Sequence, residues 1–467
     1  QILDALSIIN GIVLQNKNQD ISYSCNNFIM IRLFMFKKIK FVPMAVALSL
    51  LPLPTLVQAT PLKNNENTLN NVQSNIINMY LKDSITTNNL YDQINNAITT
   101  LNKESDNTKL ILHLPGGTYY LDKNSHGSKQ GIIQIGSAIN GTRILEIQGS
   151  TNKRNPTKLY ANESAYWQSF IFGSYPKNIT FSYLSFYRTE KTMSEGIITN
   201  VAKGYIDIKL LDGFPEIGRI YNQGMTSGRY LRLISNDINN PTILSVDKGQ
   251  EPWGMDKQDN PLPPEALDAP QNRNWRIYTK NTQADLSRVG YKIGLWVAVK
   301  SKSYNYAYNF QGFSSNITFN NIGFFDSTMG QMHGGAKNIT LNHVKFGRGD
   351  RVNGVVPAFA SSAGGPQFMG YTDSSPYTNI LLNYVWLEYT GDDNFSAQHA
   401  SQGSSFKLDH VTSKGAFARL LLATYDAYGV CLTDNVILDN QPAVVHGAIN
   451  QDIEHFEFKK QFSVCQY

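Results

Sequence analysis

The chain has 467 residues, 41% of them hydrophobic and only 16% charged, a composition that supports a large core and excludes a disordered chain. Its 41 Lys and Arg exceed its 36 Asp and Glu by too little, and too diffusely, for nucleic-acid binding. Three cysteines without a CxxC pair exclude a disulfide-stapled scaffold and a Cys-ligated metal motif, and the lack of long apolar runs beyond residue 60 excludes a multispan membrane protein.

At the start, the basic segment Met35-Phe36-Lys37-Lys38-Ile39-Lys40 precedes the apolar stretch Phe41 to Leu56 and then Val57-Gln58-Ala59. This order predicts a secretory signal peptide over 35–59, cleaved after Ala59. The competing reading is a membrane anchor, which Pro43, Pro52 and Pro54 disfavour by shortening any helix. Residues 1–34 lie upstream of this start and are expected to be a non-native extension. Without residues 1–59 the basic surplus falls to two, so no polyelectrolyte partner is implied. The expected protein is periplasmic or secreted, not held in a membrane after cleavage, and monomeric.

Residues 60–188 are expected to hold an N-terminal cap and the first turns of the fold. Leu90, Ile94, Ile98 and Leu101 fall on one face of a helix, suited to covering the open end of a sheet. Leu110 to Leu121 (LILHLPGGTYYL) reads as a first strand and turn. Asn178 to Phe186 (NITFSYLSF) introduces a pattern that then stops. Over 189–309, Tyr205 to Leu211, Arg229 to Ile234, Asn274 to Lys280 and Gly290 to Lys300 alternate like antiparallel strands around the Pro-rich stretch Gln250 to Asn272. They predict an inserted small antiparallel, barrel-like β domain.

The pattern returns in 310–467. Asn316 to Phe324 (NITFNNIGF), Asn338 to Phe346 (NITLNHVKF), Asn379 to Leu387 (NILLNYVWL), Ser405 to Ser413 (SFKLDHVTS) and Val430 to Leu438 (VCLTDNVIL) overlay one another. Apolar residues recur at the second, fourth, seventh and ninth places, as in Ile339, Leu341, Val344 and Phe346. Two alternating stretches with a phase break between them mean two short strands joined by a bend. The fifth place reads Asn320, Asn342, Asn383, Asp409, Asp434, residues that tolerate a left-handed backbone and can hydrogen-bond their counterparts one turn away. The repeat thus predicts an all-β solenoid, a parallel β-helix. It also accounts for the Asn-Ile-Thr triplets without invoking glycosylation. Cys431, on a core place of its turn, is expected to be an inert buried thiol.

A stacked column presents rows of side chains suited to a linear polymer. The chemically loaded segment is Tyr389-Thr390-Gly391-Asp392-Asp393-Asn394. Adjacent carboxylates after a Gly that lets the backbone turn would split their pKa values, leaving one as acid and one as base, as acetal hydrolysis requires. A solvated turn is the alternative. In the repeat register Arg419 falls one turn from Asp393, and Asp350 about two turns away on the same side. Both are candidates for the site, Asp350 as a further acid and Arg419 as a substrate or carboxylate partner, against the alternative of a surface ion pair. His333, His399 and Gln398 are candidate substrate-binding residues, and Trp386, on an outward place, is a candidate sugar platform. No pair of histidines has metal-ligand spacing, so neither metal nor other cofactor is expected.

These residues resemble a known family. The signal peptide, LPGGTYYL, an insertion entered through Glu195-Gly196-Ile197-Ile198 and Asp212-Gly213-Phe214-Pro215, the NIT-type turns and Gly391-Asp392-Asp393 together resemble the pectin-lyase-like right-handed β-helix superfamily. Within it the pattern is similar to the bacterial α-1,3-galactosidases with a barrel inserted in the helix, and the polygalacturonases share the paired Asp. The resemblance implies inverting hydrolysis without a metal by the adjacent aspartates, here Asp392 and Asp393, with a further Asp from the preceding turn. That Asp has no counterpart, because the segment reads Ser362-Ala363-Gly364-Gly365-Pro366-Gln367. The run after the pair, Asn-x-His-Gly in the galactosidases, reads Ser396-Ala397-Gln398-His399.

The expectation is an exported glycoside hydrolase acting on a polysaccharide or glycan through Asp392 and Asp393, with Asp350 and Arg419 assisting. The rivals are a lyase on uronic-acid polymers with Arg419 or Arg351 as base, and a non-catalytic glycan-binding protein.

Overall fold

The computed structural model describes residues 75–442 and 462–465, apart from 83, 124–130, 137, 166–167, 219–228, 245–250, 257, 259, 270–272, 301–305, 371–374 and 425–427. The expected signal peptide and upstream extension, and Cys25, lie outside the described residues. Among the described residues the fold is mostly β, with the α-helix Thr87–Leu101 and two parallel sheets that share a core, together with a third, antiparallel sheet.

Sheet A runs through Ile76–Tyr80, Lys109–His113, Ile144–Gln148, Lys177–Arg188, Ser314–Phe325, Ala336–Gly347, Tyr377–Glu388, Phe406–Lys414, Val430–Leu432 and Phe462–Val464, each parallel to its neighbour. Sheet B orders Gly131–Ile135, Ser169–Ser174, Tyr306–Gln311, Met329–His333, Pro366–Met369, Ser396–Gln398 and Leu422–Ala423, again all parallel. From Gly131 to Leu432 the chain alternates between the two sheets, leaving this pattern only for the inserted sheet and for Thr157–Ala161, which pairs within sheet A. Each visit adds a strand beside the last. Phe319, Leu341, Leu382 and Leu408 of sheet A and Phe310, Met332, Phe368 and Ala397 of sheet B fill one common interior. Rings repeat at the same height inside it: Phe181 lies 5.3 Å from Phe319, and Phe324 5.2 Å from Phe346.

The helix Thr87–Leu101 begins at a capping box between Thr86 and Asn89 and buries Leu90, Ile94, Ala97, Ile98 and Leu101 in that interior, as its periodicity predicts. A strand missed in the sequence, Ile76–Tyr80, precedes it.

The repeat places behave as expected in most turns: Ile339, Leu341, Val344 and Phe346 are all buried. Two asparagine ladders run along the stack. At the fifth place Asn342 Nδ2 donates to Asn320 Oδ1 (3.0 Å) and Asn383 Nδ2 to Asn342 Oδ1 (3.1 Å). At the first place Asn316 donates to Asn178, Asn338 to Asn316 and Asn379 to Asn338, at 2.7, 2.8 and 2.9 Å. The left-handed backbone does not fall on the fifth place. It falls on the sixth, at Tyr183, Asn321, His343, Tyr384 and His410, and on the first-place asparagines. An extended fifth residue keeps its amide aimed along the ladder, and the next residue takes the bend.

The last repeat is out of register by one. Phe406 pairs with Val430 and Leu408 with Leu432, yet Thr412 pairs with Ile437, so an extra residue sits at the bend. Thr433 rather than Asp434 then meets Asp409, through a 2.8 Å hydrogen bond. Cys431 is accordingly not on a core place. It pairs beside Lys407, is half-buried, and forms a disulfide with Cys465, whose Cα lies 4.9 Å away. The inert-thiol expectation fails.

Between Arg188 and Tyr306 the chain leaves the stack for sheet C, seven antiparallel strands that include Ser194–Ala202, Tyr205–Leu210, Tyr230–Ile234, Asn274–Tyr278 and Trp296–Lys300. Trp253, fully buried, bridges to Thr279 beside the far side of this sheet, and its indole N–H donates to Lys300 O at 2.7 Å. On return the stack continues in register: Ile317 pairs with Ile179 and Phe319 with Phe181.

Candidate active site

The acid pair sits in the connection between the sheet A strand Tyr377–Glu388 and the sheet B strand Ser396–Gln398. Asn394 clasps this connection from inside. Its Nδ2 donates to Ser413 Oγ (2.9 Å), Lys414 O (3.1 Å) and Leu387 O (3.3 Å), while its Oδ1 accepts from Thr390 N–H and Thr390 Oγ1. Gly391 is needed for close approach rather than for turning. A Cβ there would lie 2.2 Å from Ser361 O, and the left-handed residue is Tyr389.

The two acids have unlike surroundings. Asp393 is 3% exposed and bound in a two-pronged pair by Arg419, with Nε to Oδ1 at 2.7 Å and Nη2 to Oδ2 at 3.2 Å. Burial, and then the neighbouring charge of Asp392, push the Asp393 carboxyl up to about 7, with Arg419 and Lys300 opposing. The Asp392 side chain is 43% exposed and meets Lys300 Nζ at 3.2 Å. Two cations therefore flank the acid pair, in the order Lys300, Asp392, Asp393, Arg419. The Arg419 placement read from the repeat register is correct.

Asp392 adjoins the outer face of sheet B. Gly364 separates it from Gln367: a Cβ on Gly364 would lie 2.8 Å from Gln367 Nε2 and 3.5 Å from Asp392 Cβ. Gln331 and Gln367 stand in register on that face, and Gln331 Nε2 reaches Gln367 Oε1 at 3.3 Å. His333, Met369 and Gln398 form the next row. His333 Nε2 meets Gln331 Oε1 at 2.9 Å, and burial lowers its pKa. Gln398 Nε2 donates to Ser396 Oγ. Thus His333 and Gln398 share the polar face beside the pair. His399 is exposed, with a left-handed backbone and its main-chain N–H donated to Thr424 Oγ1.

Two candidates engage other partners. Asp350 accepts a hydrogen bond from the hydroxyl of Tyr160, 190 residues away, and Tyr160 stacks on Tyr187 at 4.7 Å. The expectation that it would join the pair as a further acid fails, because the long connection after Gly347 does not keep the spacing of other turns. Trp386 lies on sheet A, where its indole N–H donates to Glu388 (2.8 Å) and Lys345 lies over the ring. It belongs to a different face from Gln398 and His333.

The segment Ser362 to Gln367, where the resemblance would put a further acid, has no room for one at Gly365. Gly365 packs so closely that a Cβ would fall 1.9 Å from Asn394 O, and Gly365 N–H donates to Asp393 O. No side chain fits there, and Gln367 fronts the face instead. Sequence reasoning missed Lys300, Gln331 and Gln367. Only strand alternation toward Lys300 signalled the first, and the Gln-x-His and Pro-Gln-Phe-Met strands signalled the others.

No protein-family model matches this chain, and no curated protein matches it.

Proposed function

We propose that the chain is an exported glycan hydrolase built on a right-handed parallel β-helix of the pectin-lyase-like type, with a small barrel inserted between two of its turns. The alternation of the chain between two parallel sheets, with asparagine ladders along the stack, supports this architecture. The disulfide between Cys431 and Cys465 supports export to an oxidising compartment.

The observation that carries the activity is the contrast within the acid pair. Asp392 faces solvent beside the amides of sheet B, and Asp393 beneath it keeps a proton toward neutral pH. Asp392 is the group that meets the sugar and exchanges a proton with the glycosidic oxygen or the attacking water. Asp393, held by Arg419, sets the proton balance of the pair from below. Gln398 and His333, both half-buried, offer hydrogen bonds to sugar hydroxyls, and the buried Gln331 and Gln367 support them. Arg419 is committed to Asp393, and Arg351 to Asn239 and Gly354, which disfavours either as the base of a lyase.

Release of reducing sugar from a panel of galactosides, pectins and host-type glycans tests the reading. Asp392→Asn lowers kcat/KM by roughly 10²–10⁴-fold while the circular dichroism of the β fold is unchanged. Undiminished turnover in that variant sinks the assignment. The pairing of each carboxylate with a cation favours a second reading, non-catalytic glycan binding. Saturable binding with no product from any glycan establishes that one.

A further inference from the structure

We propose that Lys300, delivered by the inserted antiparallel sheet, is the positioning residue for Asp392, fixing the exposed carboxylate between solvent and the buried Asp393–Arg419 pair. The inference rests on the hydrolase reading and assigns the insertion a part in it.

Lys300 ends the strand Trp296–Lys300, far in sequence from the acid pair, and its side chain is 4% exposed. A buried ammonium costs several kcal/mol unless it is paired, and the carboxylate that meets it is Asp392, at 3.2 Å. The approach is fixed from both ends. Lys300 pairs with Tyr230 in sheet C, and its carbonyl accepts the Trp253 indole N–H at 2.7 Å. Its Nζ lies 5.1 Å from the centre of the Phe417 ring. Phe417 belongs to the connection that carries Arg419: its N–H donates to Thr390 O, and Ala418 N–H donates to Asp392 O. Arg232, from the neighbouring strand of sheet C, donates to Phe417 O and lies over the same ring. Two segments thus meet at Asp392 and Arg232 braces one of them at Phe417, and the cation that reaches the carboxylate comes from the insertion. A long, buried, anchored lysine holds a carboxylate in one orientation, whereas a solvated one would leave it free to rotate.

Aspartate carboxyl carbons labelled with carbon-13 in the full oxidised chain report each titration without substrate. Lys300→Met keeps the stem against Phe417 and removes the charge. It raises the Asp393 midpoint from about 7 by about one unit, because one of its two opposing cations is gone. Lys300→Arg restores the midpoint.

With turnover as readout, Lys300→Met lowers kcat by about tenfold and leaves KM within about threefold, and the pH profile moves with the carboxyl midpoint. A loss of folded protein would lower the melting temperature and the active fraction without moving that profile. In an Asp392→Asn background Lys300→Met adds no further loss. Carboxyl titrations and a pH profile that match the parent overturn the proposal. A shifted titration with unchanged kcat overturns the positioning role. A parent protein that releases no sugar while its titration still responds to Lys300 overturns the hydrolase reading, and with it the catalytic use of the link.

Discussion

Residues 314–438 and residues 194–300 bury their apolar side chains by opposite routes. In the first region each strand lies on a copy of itself, so Ile339 covers Ile317 and Phe346 covers Phe324, and a position's environment is set by its own repeat. In the second, antiparallel neighbours of unlike sequence meet once: Ile208 against Trp275, Arg232 against Ala298. The stack is redundant and local. The inserted sheet depends on single contacts such as that of Trp253 with Lys300 O. A change in the stack is therefore expected to be felt by its neighbouring turns, and a change in the insertion to be felt throughout that sheet.

The largest effect that separates the two is Trp253→Ala. It empties a fully buried site and leaves Lys300 O without its indole donor, at a cost of about 3–5 kcal/mol. Urea unfolding should show this as an early transition of the inserted sheet, and sugar release should fall with it because Lys300 loses its seat. A single transition, shifted as a whole, would show that the two regions unfold as one, and an unshifted one would show that Trp253 carries no such weight.

Next comes the joint between them. Glu195, on an insertion strand, is 1% exposed and accepts from the amides of Ala358 and Phe359 at 3.0 and 3.5 Å. Burial pushes its carboxyl from 4.5 up to about 8, against these hydrogen bonds and the charges of Arg348 and Lys191. The folded state thus favours the proton. Its stabilisation is full below 4.5 and is lost as pH rises from there through about 8. Unfolding midpoints should fall between pH 5 and pH 9, and Glu195→Gln should flatten the fall. A residue from the raised carboxyls of Asp393 and Asp326 should persist.

The smallest effect sharpens the picture of the stack. Asn342→Ala removes the middle of a ladder, leaving Asn320 Oδ1 and Asn383 Nδ2 without that partner, for about 1–2 kcal/mol. Hydrogen exchange should quicken in the strands on either side and stay unchanged in sheet C.

The same contrast explains what was legible in the sequence. A repeat writes its packing into its own period, so the buried places, the fifth-place ladder, the capping helix and the Arg419–Asp393 juxtaposition can all be read along the chain. One inserted residue at the bend after Leu432 was enough to misplace Cys431, because overlaying segments assumes equal lengths. Strand alternation gave the inserted sheet's main strands, but alternation does not say which end of a strand reaches which distant loop. Lys300 at Asp392, Glu195 at Ala358 and Tyr160 at Asp350 join residues 92, 163 and 190 positions apart, and no period links them. Trp386 was assigned to the site by nearness in sequence, yet the strand carries it onto sheet A, on another side of the stack.

A column of parallel strands is also a template, since its terminal strand exposes a free row of amides and carbonyls to which any extended segment can add. The outermost described strand of sheet A on one side, Phe462–Val464, is stitched to its neighbour through Cys465 and Cys431. The covalent stitch ties that rim to the body of the protein, so it cannot peel away and leave Val430–Leu432 open for the edge of a second molecule. Under reducing conditions the rim keeps only its strand pairing to Val430–Leu432.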